Sequence, residues 1–240
     1  MPLRLLTALL FISALPALGA ELRPFTAVYQ ASYNGLGVEA TRKLTGKDNH
    51  WRLDFNADSI FAGIDEYSRF VLHGDQLRPL HYEYKKSGLG RGREIALNFE
   101  AEQRRVVNLT NPKRSLEEVP QDVQDKLSYQ LQLALDIAAG KEKLEYRVAD
   151  GRKIRAYKFS VVGTETLQTP MGQVETIKVQ RLREGDAERE TVIWFAPAWN
   201  YALVKLWQQE EDGKSYQIAL TEITIDGKNL DPIDSTPTDS

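Results

Sequence analysis

The sequence predicts a mainly β fold: a single strongly curved antiparallel sheet of about a dozen strands, forming a barrel or half-barrel, with one amphipathic helix. Short alternating segments are separated by turn dipeptides such as Asn34-Gly35 and Asp150-Gly151. The segment Val119–Gly140 changes to helical spacing. Between Val174 and Trp207, three strands follow one another, and the middle one is apolar on both faces. Such a strand belongs inside a sheet.

The first twenty residues are typical of a secretory signal peptide. Arg4 precedes an apolar run over residues 5–15, and the small residues Ala17 and Gly19 suit cleavage before or after Ala20. The run is shorter than the roughly 18 residues that span a bilayer. The chain has no cysteine, so it lacks the lipid-accepting residue of a lipoprotein and forms no disulfide. We therefore expect a periplasmic protein, exported by a cleaved signal peptide at residues 1–20.

The next part of the chain predicts a series of antiparallel strands. The clearest is Trp51–Ala57, whose odd positions are apolar and whose even positions are polar, as in a strand with one solvated face. Residues 59–65 break the alternation while staying apolar, so we expect a loop under the sheet or the rim of a cavity. The other predicted strands here are Phe25–Tyr33, Val38–Thr45, Glu66–His73, Pro79–Lys86, Arg93–Phe99 and Arg104–Leu109.

One amphipathic helix is predicted over residues 121–139. Pro120 suits a first turn, acidic residues lie near the start, and Gly140 marks the end. We expect this helix to pack against the sheet or to plug one end of it. The predicted apolar face consists of Val123, Leu127, Leu131, Ala134, Leu135 and Ala138.

The last third of the chain returns to strands. In Tyr216–Ile225 the apolar positions change from even to odd numbers, which predicts a β-bulge near Thr221 or Glu222. Residues 228–240 are polar and aperiodic, so we expect a disordered tail after a single β-rich domain at 21–227. The predicted strands are Leu144–Val148, Ile154–Thr164, Val174–Arg183, Glu190–Ala196, Ala202–Trp207 and Tyr216–Ile225.

The chain shows no recognisable catalytic pattern. Its three histidines, His50, His73 and His81, lack the companions of a zinc site, and no serine lies in a G-x-S-x-G turn. We expect no catalytic residues, no metal and no cofactor. A hydrolase that uses His81 with two close acids is the least favoured alternative. The formal net charge of −3 is dispersed, which argues against nucleic acid as a partner.

Five residues are candidates for ligand binding. Phe61 and Ile64 lie in the irregular apolar segment and Trp199 lies in a turn, and large apolar groups outside regular strands often line a pocket mouth. They could equally fold back on the core. Arg91 and Arg93 lie in a glycine-rich loop and could contact an anionic head group, although a flexible hairpin tip explains the same pattern.

Five phrases of the sequence are distinctive: TPMGQVETIKV at 169–179, WFAP at 194–197, YALVK at 201–205, DKLS at 125–128 and YNGLG at 33–37. Together they resemble an exported bacterial family, domain of unknown function 3108. The resemblance extends to about Gly227 and rests on turn glycines and strand aromatics, so it implies a fold and no catalytic residues. In outline, such proteins are similar to the curved half-barrels of periplasmic lipoprotein carriers, which is an analogy of fold alone.

We therefore expect a periplasmic, non-enzymatic binding or carrier protein that holds an acyl chain or a lipid-like ligand in the concave face of a β-barrel. The excess of aromatic residues on the predicted sheet motivates this hypothesis. The alternative is a structural or interaction protein of the envelope, with a packed core and a protein partner but no ligand. A cavity would favour the first hypothesis, and a solid barrel would favour the second.

Overall fold

The computed structural model describes residues 20–33, 36–58, 62–88, 92–182, 189–210 and 213–231. Within these residues the chain forms one 14-stranded antiparallel sheet and one α-helix, α1 (Ser128–Ala138), which confirms the predicted mainly β fold. The strands are β1 (Phe25–Tyr33), β2 (Leu36–Lys47), β3 (His50–Asp58), β4 (Ala62–His73), β5 (Gln76–Gly88), β6 (Arg93–Glu100), β7 (Arg105–Asn108), β8 (Leu144–Ala149), β9 (Ile154–Thr169), β10 (Gly172–Arg181), β11 (Arg189–Ala196), β12 (Ala202–Glu210), β13 (Ser215–Ile225) and β14 (Lys228–Asn229).

The sheet is nearly closed, and its order is β7-β6-β5-β4-β3-β2-β1-β13-β12-β11-β10-β9-β8. Pairing of β1 with β13 joins the two halves of the chain. The gap between the end strands β7 and β8 is bridged by the segment before α1. That segment pairs Leu116 with Val106 of β7 and Gln124 with Val148 of β8. The amide of Asn108 also donates to the carbonyl of Gly151 at 2.8 Å.

Strand β11 is interior, as its apolar sequence predicts. All five residues from Val192 to Ala196 are buried. On the outer face of the barrel, the Trp194 ring is covered by the ammonium groups of Lys178 and Lys205, at 5.3 and 5.0 Å from its centroid. Its indole N–H donates to Glu165 at 3.0 Å. Long basic side chains thus shield an aromatic ring that the core cannot cover.

The predicted bulge lies at Thr221. Val28 of β1 pairs with Glu222, but the next residue, Tyr29, pairs with Leu220, so Thr221 is unpaired in the ladder. The Thr221 hydroxyl donates to the carbonyl of Val28 at 3.1 Å. Because the bulge resets the alternation, apolar side chains on both sides of it point into the barrel.

The helix is shorter than predicted: it begins at Ser128 instead of residue 121. The residues before it are held in another conformation by the parallel bridge between Gln124 and Val148. Gly140, with φ of +69°, ends the helix where the sequence predicts. The buried face also differs, because the barrel encloses α1 on more than one side. Its buried side chains include Tyr129, Leu133 and Ile137, whereas Leu131 and Leu135 are only partly buried.

Two further expectations differ from the structure. Residues 62–65, predicted to be irregular, belong to β4, where Ile64 pairs with Ala57. Lys228 and Asn229, predicted to be disordered, pair with the end of β13. Residues 59–61, the Asn34-Gly35 turn and residues 232–240 lie outside the described part of the chain. Among the described residues, no helix has the length and apolar character needed to cross a bilayer.

Candidate functional site

A cavity of about 40 Å³ lies between α1 and the inner face of the sheet. Its walls come from β1, β2, β12 and β13 on one side and from α1 on the other, and the segment before β1 also contributes. Most of its lining is apolar. Representative lining residues are Leu22, Leu44, Leu131, Ala134, Trp199 and Ile223.

Tyr29 supplies a polar group at the cavity wall. Its hydroxyl donates to the carbonyl of Leu203 at 2.9 Å, which ties β1 to β12 across the space that β13 occupies. Burial raises the pKa of Tyr29 to about 12, although the charge of Arg42 opposes this. The side chain is therefore a neutral phenol at physiological pH.

Arg42 is the cationic residue of the cavity interior. It is 4% exposed and lies between Ala40 and Leu44 on the inward face of β2, and it lines the cavity. Its Nε is enclosed and has no hydrogen-bond partner among the described residues. Within the same residues, no carboxylate lies close enough to form an ion pair with Arg42; the arginines that form ion pairs are others, such as Arg23, Arg52 and Arg147.

Glu66 faces the barrel interior two strands away from Arg42. In the pairing ladder, Phe55 of β3 lies between them, opposite Arg42 on one side and opposite Glu66 on the other. Burial raises the pKa of Glu66 to about 7, against the lowering effects of its hydrogen bond from Tyr82 and of the charges of Lys126 and Arg42. At neutral pH the Glu66 carboxyl is therefore about half protonated, and below this pH it is mostly neutral.

The start of α1 is tied to the sheet by Asp125. One carboxylate oxygen accepts a hydrogen bond from the Ser68 hydroxyl of β4 at 2.5 Å. The other accepts from the backbone N–H groups of Leu127 and Ser128, both at 2.8 Å. Burial raises the pKa of Asp125, and these hydrogen bonds oppose the rise. The carboxylate thereby acts as the helix cap and as the link between helix and barrel.

Buried polar contacts also hold the middle of α1. Gln132 accepts a hydrogen bond from the Leu77 N–H at 2.7 Å and donates to the Asp75 carbonyl at 2.9 Å. Asp136 accepts from the Tyr146 hydroxyl at 2.9 Å. The helix is therefore fixed on the side that faces β5 and β8, while its Leu131 side faces the cavity.

A short N-terminal segment, residues 20–24, forms part of the cavity wall. Both atoms of the Asn200 amide bond to the backbone of Glu21: Nδ2 donates to its carbonyl at 2.8 Å, and Oδ1 accepts from its N–H at 3.2 Å. Arg23 Nε donates to Asp226 at 2.7 Å. Leu22 packs against the core between these two attachments.

The structure brings one of the five predicted ligand-binding residues to this cavity. Trp199, in the 3₁₀ turn Pro197–Trp199, is buried and lines it. Ile64 is a partly buried core residue of β4 that is not part of the cavity wall, and Arg93 is exposed at the start of β6. Phe61 and Arg91 lie outside the described residues. Sequence reasoning missed Arg42, although its place between two apolar inward positions was a visible signal.

The histidines do not assemble a catalytic site. His81 lies on the outer face of the barrel, where its ring bonds to Asn98 at 2.5 Å and to Glu83 at 2.8 Å. Tyr67 stacks on it at 5.6 Å. His73 pairs with Gln76 at the end of the same hairpin, away from His81. In the part of the chain that the structure describes, no three metal-binding side chains are grouped to hold an ion.

A family model described as "Protein of unknown function (DUF3108)" matches residues 28–221. A search of curated proteins finds no match. Among solved structures, a β-barrel-like protein of DUF1849 from Brucella abortus is similar, with a TM-score of 0.55, 12% identity, and coverage of 86% of this chain and 99% of that one. This similarity extends to the fold alone.

A DUF1329 family protein from Desulfovibrio piger superposes more loosely. Its TM-score is 0.31 at 10% identity, with 88% of each chain covered. A domain described as a putative outer membrane lipoprotein-sorting protein from Vibrio parahaemolyticus gives a TM-score of 0.25 at 9% identity, with 85% of each chain covered. Superpositions this loose support no argument about the ligand of the present barrel.

Proposed function

The chain belongs to the family described as protein of unknown function DUF3108, and we propose that it is a non-enzymatic carrier that holds an apolar ligand inside its barrel. The observation that carries this proposal is the apolar cavity between α1 and the sheet. A barrel that only served as a structural support would gain stability by filling this space, because unfilled volume forfeits packing contacts.

The cavity is smaller than an acyl chain. A volume of about 40 Å³ holds about three or four water-sized groups, since one water needs roughly 10–15 Å³. A longer ligand therefore requires one wall to move. Residues 20–24 form a wall at the start of the described chain. They are held by the amide of Asn200, by the exposed pair of Arg23 and Asp226, by a hydrogen bond from the Asp226 N–H to the Pro24 carbonyl and by the packing of Leu22. Because the exposed ion pair contributes only about 0–1 kcal/mol, displacing this segment mainly breaks these hydrogen bonds and the Leu22 contact.

We place the protein in the bacterial periplasm on the basis of the signal-peptide pattern. Cleavage before or after Ala20 would make residues 21–24 a free chain end at the cavity wall. A free end can leave its site without straining a closed loop, and chain ends are the parts of a domain that detach most easily. Export and ligand access would then be linked by the same cleavage.

A second candidate function has a specific observation in its favour. Strand β8 pairs with β9 from Ile154 to Phe159. Among the described residues, no strand therefore pairs with the rest of β9, Ser160–Thr169, on that side. Val161 and Val162 on this stretch are 50% and 49% exposed. An open edge with exposed apolar side chains can add a strand from a partner protein. This surface supports the alternative of an envelope interaction protein.

Native mass spectrometry separates the two candidates. The full-length chain is expressed with export in a bacterium, and the processed protein is purified from the periplasm without detergent. Extra mass that organic extraction removes supports the carrier. A bare mass, together with a partner that is lost when Val161 is replaced by Lys, supports the interaction protein.

The wild-type result is compared with two helix variants of equal added volume. Ala134→Leu places a larger side chain in the cavity wall, whereas Ala138→Leu adds the same atoms one turn later, at a position that does not line the cavity. The carrier proposal predicts that only Ala134→Leu removes the extra mass. Equal retention of mass in both variants would place the ligand elsewhere.

A further inference from the structure

We infer that the ligand is a single-chain amphiphile with an anionic head, a carboxylate or a phosphate, and that Arg42 binds this head inside the barrel. This inference rests on the proposed carrier function and specifies its ligand. The apolar lining by itself would accept any apolar molecule. Arg42 adds a charge requirement that a neutral lipid does not meet.

The first step of the argument is the isolation of the Arg42 charge. The Arg42 side chain ends in a cationic guanidinium group. Burying a charge is unfavourable unless the charge is paired and hydrogen-bonded. Arg42 is 4% exposed, and its Nε has no hydrogen-bond partner among the described residues.

The groups that surround Arg42 do not neutralise it. Tyr29 and Tyr216 are close enough to interact with its charge, but burial raises the pKa of both phenols, which keeps them neutral. Glu66 also interacts with it, but burial raises the pKa of that carboxyl to about 7, so it keeps its proton below this pH, and it accepts a hydrogen bond from Tyr82. Among the described residues, Arg42 is therefore a buried cation without an ion-pair partner.

The chemistry of the site excludes other ligand classes. A cationic ligand would be repelled by Arg42, and a neutral one would leave it unpaired and further desolvated. A carboxylate or phosphate can accept two parallel N–H hydrogen bonds from one guanidinium. The apolar tail would lie against Leu44, Leu131 and Ala134, which share the cavity with Arg42.

The test compares ligands that share a tail or a head. Dodecanoate, dodecyl phosphate and the uncharged dodecanol are titrated by calorimetry into the processed protein at pH 6.5, below their aggregation concentrations. Acetate and inorganic phosphate are titrated as heads without a tail. The variants are Arg42→Gln and, as a matched control, Lys43→Gln, which removes the same charge from an exposed side chain on the other face of β2.

We expect the wild type and Lys43→Gln to bind dodecanoate or dodecyl phosphate at least 30-fold more tightly than dodecanol, which is the scale of losing a buried charge partner. Arg42→Gln should bring this ratio close to one. The anion with the larger affinity relative to dodecanol identifies the head group. Thermal unfolding verifies that Arg42→Gln folds. If this variant does not fold, the ratio of anion affinity to dodecanol affinity in the wild type still tests whether the ligand must carry an anionic head.

Other outcomes overturn the inference in distinguishable ways. Equal affinity for dodecanol and the two anions in the wild type would leave the carrier function standing and remove the role of Arg42. Acetate or inorganic phosphate binding as tightly as the long-chain anions would mean that the tail is not recognised. Binding of none of the five compounds would overturn the carrier proposal as well.

Discussion

Tyr82 donates its phenolic hydrogen to Glu66 inside the barrel, with 2.5 Å between the two oxygens. Tyr82 is fully buried, and the presence of the carboxyl raises its pKa further above that of an ordinary phenol, beyond the effect of burial. The pair therefore retains the phenolic proton. Titration of this region at ordinary pH depends on the carboxyl of Glu66.

The first prediction concerns the pH dependence of stability. The pKa of Glu66 is 4.5 in an unperturbed chain and about 7 in the fold. Between these values the unfolded state loses its proton first, so the wild type loses stability as the pH rises from 4.5 to 7, by about 3 kcal/mol in total. Glu66→Gln removes this titration. We therefore expect the difference in unfolding free energy, variant minus wild type, to be about 3 kcal/mol larger at pH 8 than at pH 4.5.

Urea unfolding at both pH values measures this difference. Glu39→Gln is the matched control, because Glu39 is an exposed carboxyl of β2 on the solvent side of the sheet. It should change the relative stability by less than about 0.5 kcal/mol over the same range. A difference for Glu66→Gln that is the same at pH 4.5 and pH 8 would contradict the raised pKa.

The second prediction links the same carboxyl to ligand affinity. As Glu66 ionises above pH 7, its negative charge opposes an anionic head at Arg42, so dodecanoate affinity should fall from pH 6.5 to pH 8.5. The groups that interact with Glu66 are Tyr82, Tyr84, Tyr129, Tyr216, Lys126, Asp125 and Arg42. Burial also raises the pKa of Asp125, so Asp125 is a second carboxyl that can change charge in this range. The Glu66→Gln variant separates the two, because its dodecanoate affinity should depend little on pH.

Calorimetric titration of dodecanoate into wild type and Glu66→Gln over this range tests the second prediction. Dodecanol serves as the uncharged reference, and its affinity should not change with pH in either protein. A fall in dodecanoate affinity that persists in Glu66→Gln would assign the effect to another group.

The third prediction concerns the attachment of α1. Asp125→Ala removes the acceptor for the Ser68 hydroxyl and for two backbone N–H groups, all in a buried site. We expect a loss of about 2–4 kcal/mol in the free energy of unfolding. Asp122→Ala, which removes a carboxylate that pairs with Arg147 nearer the surface, should cost about 1 kcal/mol or less. Equal losses, measured by urea unfolding, would refute the role of Asp125 as an anchor.

The fourth prediction concerns access to the cavity. Asn200 has a left-handed backbone conformation, with φ of +53°, and its amide makes both hydrogen bonds to Glu21. Asn200→Gly keeps this conformation accessible and removes both bonds. We expect dodecanoate to associate several-fold faster, because residues 20–24 leave the cavity wall more often. Stopped-flow tryptophan fluorescence measures the rate, because Trp199, one of the four tryptophans, lines the cavity. An unchanged rate would mean that the ligand enters elsewhere.

Local patterns in the sequence determined the strands and the bulge. Alternation identified the inward face of β3, and an unbroken apolar run identified β11 as interior. The change of phase predicted a bulge near Thr221 or Glu222, and the pairing of β1 with β13 has it at Thr221. These features follow from the two-residue period of an extended chain, which each segment obeys by itself.

Contacts between distant segments decided the rest. Seven residues predicted to be helical, 121–127, are not, because Gln124 bridges to β8 and Asp125 bonds to Ser68, 57 positions away. The cavity is likewise a product of strand order: pairing of β1 with β13 and the position of α1 bring Arg42, Leu131 and Trp199 together. Alternation shows that Arg42 faces inward. Only the nearly closed sheet determines what it faces and, among the described residues, leaves its charge without an ion-pair partner.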